Sequence, residues 1–353
     1  MTVAPTYARI AEALAEQIAA GTFRPGDRLP SVRRLTETMG VSATTAARAL
    51  VELEAMGRAE ARPRSGFYVA APEVALARVP AATRPSDTAE PVDVNRLIAA
   101  LFKATAGASG ERRLMPFGAA ELDEDLLPHR ELARLAAEVA REEGAALLAY
   151  GPAAGEPALR RRIARLMGER GVVVAPDEVI VTAGETDAMG TALEAVARPG
   201  DTVAVESPSF FGILQWIETL GLKAVAIATD PRLGLDLDAL ERVAATTRLA
   251  AVALNPTFHN PFGFAMPAER MARLLAIAKA RDLTLIEDDV YGELHRGRPA
   301  AGPLKRFDDD GRVIYCSSFS KTLAPGFRVG WCLPGRHGPA LAAVRAPRNA
   351  GVG

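Results

Sequence analysis

The stretch RVIYCSSFSKTLAPGFRVG, residues 312–330, runs from an apolar, strand-like segment into a polar loop that contains one lysine, Lys321. Only five of the 42 basic residues of the chain are lysines, and the others are arginines. A lysine amine can lose its proton and form a Schiff base, whereas an arginine stays protonated. The stretch therefore makes Lys321 a candidate covalent anchor. The opposing interpretation is an ordinary surface lysine on a loop.

Similar apolar runs occur four more times upstream and alternate with segments of helical periodicity. These runs are EVIVTAG (178–184), DTVAVESP (201–208), LAAVALNP (249–256) and LTLIEDDVY (283–291). The helical segments are 93–106, 129–143, 156–170, 185–198, 236–245 and 267–281. This alternation predicts an α/β fold with a mostly parallel sheet flanked by helices. In such sheets, ligands usually bind at the carboxyl ends of the strands. Each of these runs ends in polar, Gly or Pro residues.

Several polar or aromatic residues stand at these strand ends. TAGETDAM (182–189) offers the backbone of Gly184, Glu185 and Thr186 at a helix start, where anions bind. The other candidates are Phe210 in ESPSFFG, Asn260 in NPTFHNPFG, Asp288 and Tyr291 in IEDDVYGEL, and Ser318, Ser320 and Arg328 around the lysine. Taken singly, each motif has an ordinary alternative, namely a turn, a core aromatic, a capping asparagine or a polar loop. Together they describe a ligand with a phosphate, an aromatic ring, a ring nitrogen, a phenolic oxygen and an aldehyde, which is pyridoxal phosphate.

The pattern of residues 1–70 predicts a separate α+β unit. Helices are expected over about 6–20 and 31–39, and a third begins at the cap Ser42 and ends at Gly57. A short hairpin turning at Pro63–Gly66 follows. This order is the plan of a winged helix-turn-helix.

The winged-helix interpretation supplies candidate contacts to double-stranded DNA. Residues 24–48 carry five arginines against two acids, a net charge of +3. The expected contacts are Arg33, Arg34, Ser42, Thr44, Thr45, Arg48, Arg62 and Arg64. The alternative is a small helical bundle with a solvated arginine face.

The remaining features of the sequence concern the linker, the cellular compartment and the net charge. Residues 71–92 are rich in Pro, Ala and Thr and predict a linker to the unit over 93–353. Only two cysteines, Cys316 and Cys332, are present, which fits a reducing cytosol and implies no disulfide framework. We see no secretory signal and no apolar stretch of membrane-spanning length. The net charge of −1 indicates no partner for the chain as a whole.

Two family resemblances follow from these motifs. GTFRPGDRLPSVRRL, MGVSATTAARALVELEAMG and ARPRSGFYV resemble the DNA-binding domain of GntR-type bacterial regulators. Residues 110–335 are similar to fold-type-I aminotransferases of class I/II. A GntR domain joined to such a unit looks like the MocR subfamily of regulators.

The aminotransferase resemblance implies roles for the candidate residues. Lys321 would form the internal aldimine with pyridoxal phosphate, and Asp288 would pair with the ring nitrogen. Tyr291 and Asn260 would hydrogen-bond the ring oxygen, and Phe210 would stack on the ring. The phosphate would bind at Ser318, Ser320, Arg328 and the backbone of residues 184–186. Tyr150, in LLAYGPAAGEPALRRRIA, would reach the cofactor of a second subunit in a head-to-tail homodimer.

The chain departs from the two families at several positions. Glu185 puts a carboxylate beside the expected phosphate. In the GntR-like part, Thr36 follows Leu35 where the family usually has alanine, and Ala43 stands where it often has arginine. Residues 336–353 lose apolar periodicity, so we expect a truncated end without the small C-terminal domain.

Three functions remain open. The first is a pyridoxal-phosphate-dependent regulator that senses an amine or amino acid. The second is an aminotransferase with an accessory DNA-binding domain. The third is a DNA-binding domain attached to an unfinished cofactor domain.

Overall fold

A computed structural model describes residues 6–63, 65–70, 80–106, 122, 124–295 and 302–346. The contacts between residues divide the chain into two compact units, Met1–Val79 and Pro80–Gly353. The division falls inside the segment that the sequence predicts as a linker. In the part of the chain that the structure describes, none of the helices is both long and apolar enough to cross a membrane.

The N-terminal unit has three helices followed by an antiparallel hairpin. Its elements are α1 (Thr6–Ala19), α2 (Val32–Met39), α3 (Ala43–Ala55), β1 (Ala59–Arg62) and β2 (Gly66–Val69). The Ser31 and Ser42 hydroxyls accept the backbone N–H groups of Arg34 and Thr45 and so cap α2 and α3. Gly40 ends α2 in the left-handed conformation with φ of 64°. The core is apolar and includes Ile10, Leu14, Leu35, Leu50 and Leu53.

The second unit alternates strands and helices. Its helices are α4 (Asn95–Ala106), α5 (His129–Glu142), α6 (Pro157–Glu169), α7 (Glu185–Val196), α8 (Phe211–Thr219), α9 (Leu237–Thr246), α10 (Ala268–Ala280) and α11 (Gly338–Arg345). Its strands are β3 (Glu90–Pro91), β4 (Ile180–Thr182), β5 (Thr202–Ser207), β6 (Lys223–Asp230), β7 (Gly234–Leu235), β8 (Leu249–Leu254), β9 (Leu285–Asp288), β10 (Val313–Ser318) and β11 (Gly330–Leu333).

Most strands of the second unit form one mixed sheet in the order β3-β6-β5-β8-β9-β10-β11-β4. The neighbours from β6 through β10 pair in parallel, whereas β11 runs antiparallel to both β10 and β4. The short strands β3 and β7 pair with β6 in antiparallel fashion. The predicted mostly parallel α/β sheet is confirmed. The carboxyl ends of its parallel strands therefore lie at the same edge of the sheet.

Helices cover both faces of the sheet, which explains why its strands read as continuous apolar runs. On one face, α7, α8 and α11 pack over Val203, Val205 and Ile286. On the other face, α9 and α10 pack over Ala204 and Leu285. Both faces are therefore closed to water, and polar side chains are left to the strand ends.

The structure differs from the sequence-based expectation in several places. Strands β6 and β11 and helix α8 were not expected, although each is well formed. Although residues 336–353 lose apolar periodicity, Gly338–Arg345 forms the short helix α11 and buries Leu341 against α7. Glu90–Pro91, at the end of the predicted linker, instead adds an edge strand beside β6.

Candidate cofactor site and nucleic-acid interface

Most of the predicted site residues lie where β9, β10 and the start of α7 meet. Asp288 is the last residue of β9, and Ser318 is the last residue of β10. Lys321 follows β10 by three residues and is half-buried. Glu185 is the first residue of α7, and its carboxyl feels the charges of Lys321, Arg328 and Asp288. The strand ends thus bring the lysine and the carboxylates together.

Asp288 is buried and held by backbone contacts. Its Oδ1 accepts the N–H of Val290 at 3.2 Å, and its carbonyl oxygen accepts the side-chain amide of Asn255 at 2.6 Å. Burial raises the pKa of the Asp288 carboxyl to about 7, and the nearby carboxylates of Asp289 and Glu206 act in the same direction. A cation brought to this carboxyl would restore its ionised form.

A second buried pair lies behind Asp288. The His259 ring is stacked on Phe264 with 4.7 Å between centroids, and its Nδ1 accepts the N–H of Phe262 at 3.2 Å. That hydrogen bond leaves the proton of the neutral ring on Nε2, which lies 3.4 Å from Glu206 Oε2. The same Glu206 oxygen accepts the N–H of Asn255 at 2.7 Å. Glu206, with His259 beside it, thus supports the Asn255–Asp288 contact through the Asn255 N–H.

Asn260 and Tyr291 meet at the same edge. The Asn260 side-chain amide donates to the Tyr291 hydroxyl at 3.3 Å, and the Asn260 N–H donates to Asn255 Oδ1 at 2.8 Å. Burial, and next the negative charge of Asp288, raise the pKa of the Tyr291 hydroxyl. Tyr291 is therefore a protonated donor at neutral pH.

Arg328 connects the lysine loop to the start of α7. Its Nη1 donates to Ser320 Oγ at 3.2 Å, and its Nη2 donates to the Ala183 carbonyl at 3.1 Å. A Cβ on Gly184 would overlap the Arg328 guanidinium, and Gly184 has a φ of 91°. The Ser318 hydroxyl accepts the N–H of Ser320 at 3.3 Å. Serine hydroxyls, a guanidinium and a glycine-lined helix start therefore form one cradle that suits an anion, here called the anion cradle.

Phe210 closes one wall of a cavity between α7, α8 and the sheet. The cavity is also lined by Glu185, Thr186, Asn255 and Asp288. Phe210 is half-buried, and a Cβ on Gly212 would overlap its ring. The aromatic side chain is therefore held in place where it lines the cavity.

Tyr150 does not join this cluster within one chain. Its side chain is 88% exposed, and nearby Leu148 is 92% exposed. Helix α5, just upstream, has no buried residue along its length. Leu147, Leu148 and Tyr150 are thus exposed apolar side chains on the second unit.

Three contributors to the site were missed by reasoning from sequence. Asn255, Glu206 and His259 all lie in motifs that were singled out, namely ESPSFFG and NPTFHNPFG. The sequence offered one signal: Glu206 is a charged residue at the buried end of an apolar strand, and a buried charge requires a partner. The identity of that partner depends on which strands are neighbours, and that is a property of the folded sheet.

The predicted DNA contacts lie on the surface of the N-terminal unit. Ser42 and Thr44 are exposed at the start of α3, and Thr45 contacts the Ser42 hydroxyl at 2.8 Å. Arg48 lies over the Tyr7 ring at 4.2 Å, and Arg62 lies over the Tyr68 ring at 4.2 Å. Each ring orients its guanidinium without neutralising it, but Arg62 is also ion-paired with Glu60 at 2.5 Å.

Two of the remaining candidates on this surface are also exposed. Arg33 is paired with Glu37 at 3.0 Å, which offsets part of its charge, and Arg34 is exposed beside it. Arg64 lies outside the described residues.

Comparison with known proteins identifies both units. Residues 6–69 match the bacterial regulatory proteins of the gntR family, and residues 112–345 match the aminotransferase class I and II family. The uncharacterized HTH-type transcriptional regulator YdcR of Escherichia coli is 40% identical over 94% of this chain and 69% of its own length. The HTH-type transcriptional regulator TauR of Rhodobacter capsulatus is 32% identical over 96% of this chain and 69% of its own length.

Solved structures show the same fold for the second unit. The α-aminoadipate aminotransferase LysN of Thermus thermophilus matches with a TM-score of 0.60 and 31% identity, over 65% of this chain and 59% of the LysN chain. An archaeal alanine:glyoxylate aminotransferase matches with a TM-score of 0.66 and 30% identity, over 74% of this chain and 65% of its own. The chain thus spans less than two thirds of either aminotransferase. It belongs to the GntR-type transcriptional regulators with a class I and II aminotransferase domain, the arrangement of the MocR subfamily.

Proposed function

We propose that this protein is a transcriptional regulator that holds pyridoxal phosphate at Lys321 and changes its DNA binding when an amine or amino acid reaches that cofactor. One observation carries the proposal. A lysine, a buried carboxyl, a tyrosine–asparagine pair and an anion cradle meet at one sheet edge, in a chain that also has a winged helix-turn-helix. We propose the division into residues 1–70, 71–92 and 93–353 on the same basis.

The residues present fit the cofactor. The cradle at Gly184 has no room for a side chain because a Cβ there would overlap Arg328, so backbone N–H groups remain open to a ligand. Asp288 is a buried carboxyl with a raised pKa, and a pyridinium nitrogen is a suitable cationic partner for it. Phe210 lines the adjoining cavity wall. Among the predicted phosphate ligands, Glu185 disagrees in charge with a bound phosphate.

Pyridoxal phosphate, when bound, supplies an aldehyde that condenses with amines and a protonated ring that withdraws electrons. Lys321 would hold the aldehyde carbon through its Nζ. Asp288 would keep the ring nitrogen protonated, and Asn260 and Tyr291 would donate hydrogen bonds to the ring oxygen. Phe210 would stack on the ring.

The phosphate would rest in the anion cradle. Ser318, Ser320 and Arg328 would contact it together with the backbone of residues 184–186. Tyr150 is too exposed to serve its own chain, and we propose that it reaches a second subunit in a head-to-tail homodimer. The exposed apolar side chains of Leu147 and Leu148 beside it support such an interface.

Aminotransferase activity is a second candidate. It is favoured by the joint presence of Lys321, which could move a proton at the substrate α-carbon, and Asp288, which supports the ring nitrogen. Solved aminotransferases share the fold of this unit. Turnover of an amino acid with a 2-oxo acid would support this candidate.

The regulatory proposal is tested by measuring DNA affinity in three cofactor states. A duplex is first selected from a random pool by the protein, and its affinity is then measured without cofactor, with pyridoxal phosphate, and with pyridoxal phosphate plus single amino acids. The proposal expects at least one amino acid to change the affinity, and Lys321→Ala to abolish that change. Identical affinities across all states, together with amino-acid turnover, would instead favour the enzyme.

A further inference from the structure

We propose that Asp187 and Arg345 are positioning residues of the anion cradle, and that Arg345 keeps the Asp187 carboxylate from repelling the phosphate bound there. Neither side chain was expected from the sequence to belong to the site. This role rests on the proposed function. It gives helix α11, which lies outside the cradle, an effect on the affinity for phosphate.

The Asp187 carboxylate closes the turn between β4 and α7. Its Oδ2 accepts the N–H of Ala183 at 2.9 Å. The carbonyl oxygen of the same Ala183 accepts Arg328 Nη2 at 3.1 Å, and Nη1 of that guanidinium donates to Ser320 Oγ at 3.2 Å. Asp187 therefore fixes the residue whose carbonyl oxygen orients Arg328 in the cradle.

This contact also places a negative charge close to the expected phosphate. The Asp187 oxygen lies against the backbone of Ala183, and the next residue, Gly184, lines the cradle. A carboxylate in the first turn of a helix stabilises the helix because it complements the free N–H groups. The same carboxylate repels a second anion that binds at that helix start. Asp187 thus orients the cradle and, by its charge, opposes the ligand.

Arg345, at the end of α11, offsets this charge. Its Nη1 donates to Asp187 Oδ2 at 3.0 Å, so one carboxylate oxygen contacts both the guanidinium and the Ala183 N–H. The side chains of Arg345 and Asp187 are 5% and 28% exposed, so water and salt screen this ion pair less than a surface pair. Leu341 of α11 is buried in the core that α7 also lines, which fixes the helix that carries Arg345.

Loss of Arg345 should therefore act on the phosphate of the cofactor and not on its ring. Without the guanidinium, the Asp187 carboxylate keeps its contact to Ala183 but repels the phosphate more strongly. Pyridoxal has the same aldehyde and ring as pyridoxal phosphate but lacks the phosphate. A change that acts on the phosphate alters the ratio of the two affinities, whereas damage to the ring site or to Lys321 lowers both.

The experiment is a double-mutant cycle of Arg345→Met and Asp187→Asn. Methionine keeps an unbranched side chain without charge, and asparagine keeps an oxygen that can accept the Ala183 N–H. The parent, the single variants and the double variant are each titrated with pyridoxal phosphate and with pyridoxal, and the Lys321-dependent absorption band reports binding.

Three further variants complete the comparison. Arg345→Lys retains the charge, and Arg345→Gln is a second neutral variant. Asp201→Ala is the matched control, because Asp201 Oδ2 also accepts a backbone N–H, that of Arg198 at 2.8 Å, but in the turn before β5. Thermal unfolding verifies that the variants are folded.

We expect Arg345→Met and Arg345→Gln to lower the preference for pyridoxal phosphate over pyridoxal by about fivefold or more, Arg345→Lys to lower it less, and Asp201→Ala to leave it unchanged. Adding Asp187→Asn to Arg345→Met should restore most of the lost preference, because the repelling charge is then removed. A purely structural role predicts a double variant no better than Arg345→Met.

Two results would overturn this inference and leave the proposed function intact. One is a preference in Arg345→Met and Arg345→Gln that stays within about twofold of the parent. The other is a double variant without recovery. If neither aldehyde produces a Lys321-dependent band in the parent, both the proposed function and this inference are overturned.

Discussion

The side-chain amide of Asn255 donates a 2.6 Å hydrogen bond to the carbonyl oxygen of Asp288, the residue that ends β9 at the candidate site. The Oδ1 atom of the same asparagine accepts the N–H of Asn260. Asn255 therefore connects the buried carboxyl to the loop that carries the predicted ring-oxygen ligand. Because β8 and β9 are parallel neighbours, one side chain between them aligns two groups that would bind one ligand.

Replacing Asn255 by alanine removes both contacts. We expect Asn255→Ala to lower the free energy of unfolding by about 1–3 kcal/mol, because the Asp288 carbonyl and the Asn260 N–H lose a buried partner. Urea unfolding of the cofactor-free protein measures this loss. Asn95→Ala, which removes side-chain contacts to Gln215 and Glu218 that are at most partly buried, should cost less. Equal costs for the two variants would contradict the bridging role of Asn255.

Gly184 is expected to be irreplaceable for a steric reason. Gly184→Ala adds a Cβ that overlaps the Arg328 guanidinium and so disrupts the anion cradle. We expect the affinity for pyridoxal phosphate to fall by about tenfold or more. Gly200→Ala is a close control because Gly200 has the same φ of 91° but no atom within 4 Å of the added Cβ. The two variants share the backbone strain, and a similar loss of affinity in both would assign the effect to strain alone.

The raised pKa of Asp288 predicts a pH dependence of stability in the cofactor-free protein. The folded chain keeps this proton up to about pH 7, whereas an unfolded aspartate releases it near pH 4. Stability should therefore fall as the pH rises through that window, because the unfolded chain releases this proton there while the folded chain keeps it.

Asp288→Asn isolates this contribution. The neighbouring Glu287, whose pKa burial raises to about 8, is present in both proteins and adds the same slope. We expect the parent to lose more stability than Asp288→Asn between pH 5 and pH 8, as measured by chemical unfolding at each pH. Parallel stability curves would show that Asp288 is ionised in the folded protein throughout.

Arg48 of the N-terminal unit is expected to contribute to DNA binding. Arg48 is exposed on α3 and is oriented by the Tyr7 ring, so we expect it to contact a phosphate or a base edge. Arg48→Ala should weaken binding to duplex DNA and lower the slope of log affinity against log salt by about one. Arg161→Ala, an exposed arginine on α6, serves as the control. An unchanged slope in Arg48→Ala would place Arg48 outside the interface.

Much of the second unit could be predicted from the sequence because its parallel strands are buried on both faces. Their apolar runs are visible, and the polar residues that end them are brought to one edge by the sheet. Lys321, Asp288 and Gly184 could be proposed as site residues for this reason. The three helices of the first unit were equally accessible because Ser31, Gly40 and Ser42 mark their ends.

The parts that escaped prediction depend on tertiary contacts. Strand β6, KAVAIATD, alternates between buried and partly buried positions, and its pairing with β5 decides its conformation. Helix α11 has a single buried leucine, Leu341, and depends on packing against α7. The His259–Glu206 pair joins residues from two strand ends, so no local pattern reveals it.

The central claim is that Lys321 anchors pyridoxal phosphate, and the visible absorption spectrum tests it most directly. The 353-residue chain and its Lys321→Ala variant are incubated with pyridoxal phosphate and then dialysed to remove unbound cofactor. We predict that the parent retains an absorption band of the protein-bound cofactor and that the variant, folded to the same extent, does not. A parent protein without a band, or a band of equal intensity in both proteins, would contradict the role of Lys321.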